Sequence, residues 1–369
     1  MKVRFSLITT LVALAGCAHA PAIVGLSPLI EPGRTLVLGE VHGTREVADF
    51  TAAAVEQAAQ RGPVVLGLEV PNEPQFEAYL SGDGSSAAQA ALLSTPFWTA
   101  AYQDGRQSVA LLGLLERVRV MRQRGLSIDL LLFDAQPQDT SQRDREMAEK
   151  VMERHAQRPQ AAFILVMGNL HARKLPGSPW KPDDGYQWLT SRLTWPLVSL
   201  NAAHGDGTAW ICGSAKAEEC GPRVVAARES NGKRSVTLAP SKEGYDGVFD
   251  VVTFTASPPA AFPEKARGFD EKLTALLNGP ELKIGRARKA AMTGDYGTCA
   301  STLSALPDLG AGELYDLACC QSQLKQLDAA FDALTRSLAA GFDDFTTLDA
   351  DTDLANLRAD PRWRGLPRR

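Results

Sequence analysis

Two short stretches carry the residues best suited to moving a proton. In Gly39-Glu40-Val41-His42-Gly43 a carboxylate and an imidazole stand two positions apart, and in extended chain such side chains point the same way. A carboxylate beside an imidazole favours the imidazolium and fixes its tautomer, so the pair takes up and returns a proton near neutrality. Gly168-Asn169-Leu170-His171 repeats the setting after another apolar run. Five histidines occur in the chain. His19 lies near the N-terminus and His155 on a polar helix face. His204 sits in Ala203-His204-Gly205-Asp206-Gly207, where a turn role and a site role are equally open. Glu69 and Asp134 each close an apolar run. Arg143 opens a charged helical stretch, where it either clamps an anion or keeps Glu40 or Glu69 ionised. By composition alone that stretch reads as an ion-paired helix surface.

The elements that must position these groups are legible as alternation. Short, continuously apolar runs cover residues 35–39, 64–70, 128–134, 161–167 and 197–200, each bounded by Gly, Pro or polar clusters. Such runs suit strands buried on both faces of a parallel sheet. Amphipathic stretches at residues 44–60, 85–93, 108–124 and 140–156 lie between them and predict helices. Strand-then-helix alternation predicts an α/β fold with a doubly wound, mainly parallel sheet. Ligands of such sheets bind beyond the carboxyl ends of the strands. That edge is where Glu40, His42, Glu69, Asp134 and His171 all fall, with Asn201 and His204 after the fifth run. Strand-like pieces at 209–212, 224–227, 236–238 and 248–255 predict a strand-rich excursion that returns to complete the sheet.

The whole chain has 369 residues, with 39 Lys+Arg against 43 Asp+Glu and a net charge of -4. At roughly 150 residues per domain this length predicts two or three domains. Hydrophobic residues make up 44% and charged residues 22%, which excludes wholesale disorder, collagen and coiled coil. No concentration of cations exists to bind a polyanion, so nucleic acid is excluded as the main partner.

The two ends carry different signals. Lys2 and Arg4 precede an apolar run over residues 5–15, too short to span a bilayer, so residues 1–16 read as a signal peptide. Leu14-Ala15-Gly16-Cys17 resembles the bacterial lipobox. That resemblance implies lipidation of Cys17, a lipidated tether over 17–28 and anchoring in the bacterial cell envelope. Ala18, where inner-membrane lipoproteins carry Asp, implies the outer membrane. Export favours disulfides. Cys212 and Cys220 flank a small polar loop and are placed to staple it, while Cys299 has Cys319 and Cys320 as alternative partners. An α/β domain over 29–257 is followed by a Pro-rich linker at 258–264 and a helical domain at 265–369. Residues 286–303 and 315–338 share a pattern of small residues similar to tetratricopeptide repeats, as does the ending around Leu354–Trp363. The resemblance implies a protein partner for the helices.

Four motifs occur in an order similar to the erythromycin esterase/ChaN-like superfamily, which is related to the Tiki/TraB proteins. They are LGEVHGTREV at 38–47, VVLGLEVP at 64–71, RDREMAEKV at 143–151 and GNLHARK at 168–174. YDGVFDVVTFTAS at 245–257 is similar to the closing strand, so the resemblance spans residues 34–258. It implies a hydrolase acting on a small-molecule or peptide substrate, with water attacking an ester or amide. His42, oriented by Glu40, is then the general base. Glu69 and His171 position the water or stabilise charge, Arg143 binds substrate or oxyanion, and Asn169 and Asp134 contact substrate. The Glu-x-His spacing is closer to the ChaN and Tiki branches. The Tiki branch implies a metal-dependent hydrolase with Glu40, His42, Glu69 and His171 as ligands of a divalent metal ion. The ChaN branch implies a lipoprotein that binds haem or another ligand without turnover. No histidine closely follows His42, as one often does in ChaN-like chains.

Overall fold

The computed structural model describes residues 23–137, 142–178, 184–214 and 216–367. The expected signal segment and Cys17 lie outside the described residues. β1 (Thr35–Glu40) leads through α1 (Arg45–Ala59) to β2 (Val64–Leu68). Next come α2 (Pro74–Ser81), α3 (Ser86–Leu93), α4 (Pro96–Thr99) and α5 (Val109–Gln123). Beyond them, β3 (Ile128–Leu132), α6 (Arg143–Gln157), β4 (Ala162–Gly168) and β5 (Val198–Ala203) complete the first alternation. β6 (Gly207–Cys212) and β7 (Cys220–Val225) form a hairpin, and β8 (Ser235–Leu238) precedes β9 (Gly247–Asp250).

Seven strands make one sheet in the order β3-β2-β4-β1-β5-β9-β8, parallel except for the antiparallel edge strand β8. Both faces are covered, which is why the central strands are apolar at most positions. Leu36 and Leu38 of β1 join Leu66 and Ile164 against Phe50 and Val55 of α1 and Leu115 of α5. Val37, pointing the other way, joins Val65 and Phe163 against Met147 and Val151 of α6. Each such fully buried side chain contributes roughly 1.5–3 kcal/mol.

The expected excursion divides in two. β9 and β8 do complete the sheet, whereas β6 and β7 pair only with each other. The strand expected to run to residue 255 ends at Asp250, because Val252 takes a left-handed backbone with φ of 75°.

Part of the segment expected as a tether packs against the sheet domain. Ile23, Leu26, Leu29 and Ile30 are buried in the main core, and Val24 bridges to Ser235. Their apolar side chains make residues 23–28 part of the fold. The Pro-rich segment is likewise packed: Pro258 and Ala260 exchange backbone hydrogen bonds with Val109 and Gln107 at the start of α5.

The remainder of the chain is helical. α7 (Phe269–Asn278) packs on the β6–β7 hairpin, where Phe269 stacks on Trp210 at 6.0 Å and Leu273 joins the same cluster. α8 (Pro280–Met292) pairs with α9 (Tyr296–Ser304), and α10 (Ala311–Gln323) with α11 (Leu327–Ala339). Three residues join each pair, and the middle one is left-handed both times: Gly294 with φ of 82° and Lys325 with φ of 59°. α12 (Phe345–Ala350) and α13 (Ala355–Arg358) close this layer.

Candidate active site

Parallel register brings the polar strand ends together. Glu40 lies opposite Gly168, and Leu68 lies opposite both Val166 and Leu132. The residues just beyond the strands therefore share one edge. Gly43, with φ of 70°, turns the chain from this edge into α1, and a Cβ there would meet Trp210 O at 2.6 Å.

Glu69 is the hub. Its Oε1 accepts from Arg143 Nη2 at 2.7 Å and its Oε2 accepts from Gly168 N–H at 2.7 Å. The two imidazoles face the same two oxygens: His42 Nε2 is 3.8 Å from Oε2 and His171 Nε2 is 3.7 Å from Oε1. Gly168 lies between the rings, and a Cβ there would sit 3.1 Å from His42 Nε2 and 3.6 Å from His171 Cδ2. Any side chain at this position would crowd the space a substrate must enter. His42 and His171 keep 21% and 16% of their side-chain surface exposed, so both rings reach the edge of the hollow.

Each ring has its own carboxylate. His42 Nδ1 donates to Glu40 Oε1 at 3.0 Å. His171 Nδ1 is 2.7 Å from Asp144 Oδ1, which also accepts from Leu189 N–H, while Asp144 Oδ2 accepts from Tyr186. His171 Nε2 lies 3.1 Å from Arg143 Nη1. A guanidinium only donates, so Nε2 accepts and Nδ1 carries the proton, a tautomer assigned from hydrogen-bond geometry.

A buried ionic cluster supports these groups. Asp134, 1% exposed, accepts from Arg143 on Oδ1 and from Arg106 Nη1 on Oδ2 at 2.7 Å. Arg106 is also paired with Asp104 at 2.8 Å. Glu40, Glu69, Asp104, Asp134 and Asp144 thus outnumber the two guanidiniums, and the excess favours a positive imidazole. Burial alone would lower the pKa of His42. The hydrogen bond to Glu40 and the charges of Glu69, Glu40 and Asp104 outweigh it and raise the value to about 9. Burial likewise opposes charge on Glu69, but His171, His42, Arg106 and Arg143 hold its carboxyl well below the usual carboxylate range.

Glu40, His42, Glu69, Arg143 and His171 come together as one constellation. Asp134, expected to contact substrate, has its carboxylate held between two arginines and orients them. Asn169 lines a cleft beside the site, and its carbonyl accepts from Tyr245. His204 stacks on Phe254 at 3.8 Å and also lines that cleft. Sequence reasoning missed Arg106, Asp104, Asp144 and Tyr186. Asp144 directly follows Arg143, and this Arg-Asp doublet at a helix start was its signal. Arg106 follows an Asp-Gly turn and had none.

This donor set does not suit a divalent ion. Both oxygens of Glu69 already accept hydrogen bonds, and a guanidinium covers the Nε2 lone pair of His171. Among the described residues no three or more His, Cys, Asp or Glu side chains gather as a cation site. Axial ligation of haem fits no better, because both Nε2 atoms face this cluster.

No protein-family model matches the chain. Over 63% of its length the chain is similar to a solved structure of an erythromycin esterase mutant, EreC, in its open conformation. That match covers 93% of the esterase with 14% identity and a TM-score of 0.46. The type III effector HopBA1 matches over 59% of this chain and 88% of its own, with 14% identity and a TM-score of 0.35. A chloroplastic protein from Arabidopsis thaliana is 38% identical over 52 residues, which is 14% of this chain. The chain covers 16% of that protein's length.

Proposed function

We propose that this edge hydrolyses an ester or amide. The observation that carries the reading is the opposed setting of two imidazoles across one carboxylate. The two rings differ in their hydrogen bonds: His42 Nδ1 faces Glu40, whereas His171 Nε2 faces a guanidinium. His42, raised to about 9, is an imidazolium at neutral pH. His171 presents a lone pair on Nε2 and is oriented by Asp144.

Water replaces Arg143 Nη1 at His171 Nε2, gives that nitrogen a proton and attacks the carbonyl carbon. Arg143, one hydrogen bond away, neutralises the oxyanion. His42 then passes its Nε2 proton to the departing alkoxide or amine as the carbon–oxygen or carbon–nitrogen bond breaks. The proton taken up by His171 resets His42 through solvent. The general base expected at His42 is thereby reassigned to His171, for the physical reason that an imidazolium has no lone pair to offer. Acylated Cys17 would hold this site at a membrane surface of the bacterial envelope.

The test is a panel of p-nitrophenyl esters and anilides with the full chain. His42→Ala and His171→Ala should each lower kcat/KM by about 10²–10⁴-fold at unchanged circular dichroism. Wild-type kcat/KM should decline as pH rises through about 9, where His42 loses its proton. No turnover of any probe would end the hydrolase reading. A rate that climbs through pH 9 would return the base role to His42.

A further inference from the structure

Residues 184–190, between β4 and β5, direct their hydrogen bonds at the His171 side of the site. Thr190 N–H donates to the His171 carbonyl at 3.0 Å. Leu189 N–H donates to Asp144 Oδ1 at 2.6 Å, and the Tyr186 hydroxyl donates to Asp144 Oδ2 at 2.8 Å. Trp188 meets the His171 ring edge to face with centroids 5.8 Å apart, and Tyr186 meets Trp188 in the same way at 4.6 Å. The segment is itself tied down: Trp188 Nε1 donates to the Gly177 carbonyl at 3.0 Å, and Gly177 N–H donates to the Tyr186 carbonyl at 2.8 Å.

Asp144, 1% exposed, differs from the other buried carboxylates of this edge. Glu69 and Asp134 are held by guanidiniums, whereas no Lys or Arg pairs with Asp144 among the described residues. Its donors are His171 Nδ1, Leu189 N–H and the Tyr186 hydroxyl. Leu189 holds Oδ1 and Tyr186 holds Oδ2, and a carboxylate anchored at both oxygens does not rotate away from the ring. The hydrogen bond made by one imidazole nitrogen fixes the state of the other. Burial, the hydrogen bond to Asp144 and that carboxylate's charge together push the Tyr186 hydroxyl up to about 12. Tyr186 therefore stays a donor wherever an imidazole ordinarily changes charge.

We infer that Tyr186 is a positioning residue: with Leu189 N–H it fixes the Asp144 carboxylate, which holds the His171 proton on Nδ1 and leaves Nε2 as the acceptor beside Arg143 and Glu69. When Nε2 takes a proton, Asp144 becomes the counter-ion of the imidazolium. The effect on turnover rests on the hydrolase reading; the tautomer does not.

Long-range proton–nitrogen correlation spectra of the histidine rings in the full chain read that tautomer without any turnover. Wild-type His171 should show a protonated Nδ1 and a bare Nε2. Asp144→Asn, whose amide donates where the carboxylate accepted, should move the proton to Nε2 and lower kcat for p-nitrophenyl acetate by about 10²–10⁴-fold. Tyr186→Phe removes one oxygen from a half-buried ring. It should shift the His171 nitrogens in the same direction by less, leave those of His42 unchanged, and lower kcat about tenfold at unchanged KM. His171 nitrogens identical in Tyr186→Phe and wild type, or a wild-type ring protonated at Nε2, overturn the inference. So does an effect of Tyr186→Phe on KM alone. His171 signals that respond to both substitutions while no ester is turned over keep the positioning role and remove the hydrolase.

Discussion

At the carboxyl edge of the sheet, the buried groups are charged: Glu69, Asp134 and Asp144 are held by Arg106, Arg143 and His171. In the layer of α8 to α13 the buried groups are mostly apolar, with Leu303, Leu317, Leu334 and Leu357 in one cluster with the Cys299–Cys320 disulfide. Burying ions costs more than burying methylenes and yields less net stability. The edge therefore gives up stability to hold particular protonation states, while the helices spend theirs on shape. The contrast sets a charged sheet edge against an apolar helical layer.

The largest effect should come from removing the hub. Glu69→Gln leaves Arg143 and Arg106 facing one carboxylate fewer. Breaking a buried pair on one side typically costs about 3–5 kcal/mol, readable as a lower urea midpoint, and hydrolysis should vanish with it. A cost no greater than a surface substitution would erase the contrast. Next comes the disulfide that ties α9 to α10 across 21 residues. Replacing Cys299 and Cys320 together by Ala should lower unfolding free energy by about 2–4 kcal/mol, while p-nitrophenyl acetate hydrolysis below the transition stays as it was. Loss of that activity in the folded protein would mean that the helices take part in the chemistry itself. The smallest effect is local. Lys325 holds the left-handed position that Gly294 occupies in the preceding helix pair. Lys325→Gly should raise unfolding free energy by under about 1 kcal/mol, read as a slightly higher thermal midpoint, since left-handed backbone is costly for residues with a Cβ. A fall in midpoint would show that the lysine side chain contributes more than its backbone costs.

Much of the fold was legible because burial on two faces leaves a plain mark. TLVLG, VVLGL and AFILVM are apolar at every position, which only a covered parallel sheet requires, and the helices between them keep a regular period. The hairpin β6–β7 was readable as strands but not as a separate sheet, since pairing partners leave no local trace. The tether was overextended for a similar reason: Ile23 and Leu26 become core only because β8 and α1 lie against them. Of the site, Glu40 and His42 were legible from two-residue spacing, and His171 from its repeated setting. Asp134 was placed at the edge, but its two arginine partners were not legible, because a carboxylate held by two arginines and one open to solvent look alike in sequence. Arg106 was invisible, being brought in from a turn by distant packing.

The order of residues by itself determined which runs are strands buried on both faces, which edge collects the polar ends, and that two histidines stand there. These follow from local periodicity and from the direction shared by parallel strands. Only the tertiary structure decided that Arg143 lies against His171 Nε2, that Glu40 pairs with His42 Nδ1 and that both rings face Glu69. Proton affinity is set by charges a few ångströms away in space, and residues 40, 69, 104 and 143 become neighbours only when the chain is folded.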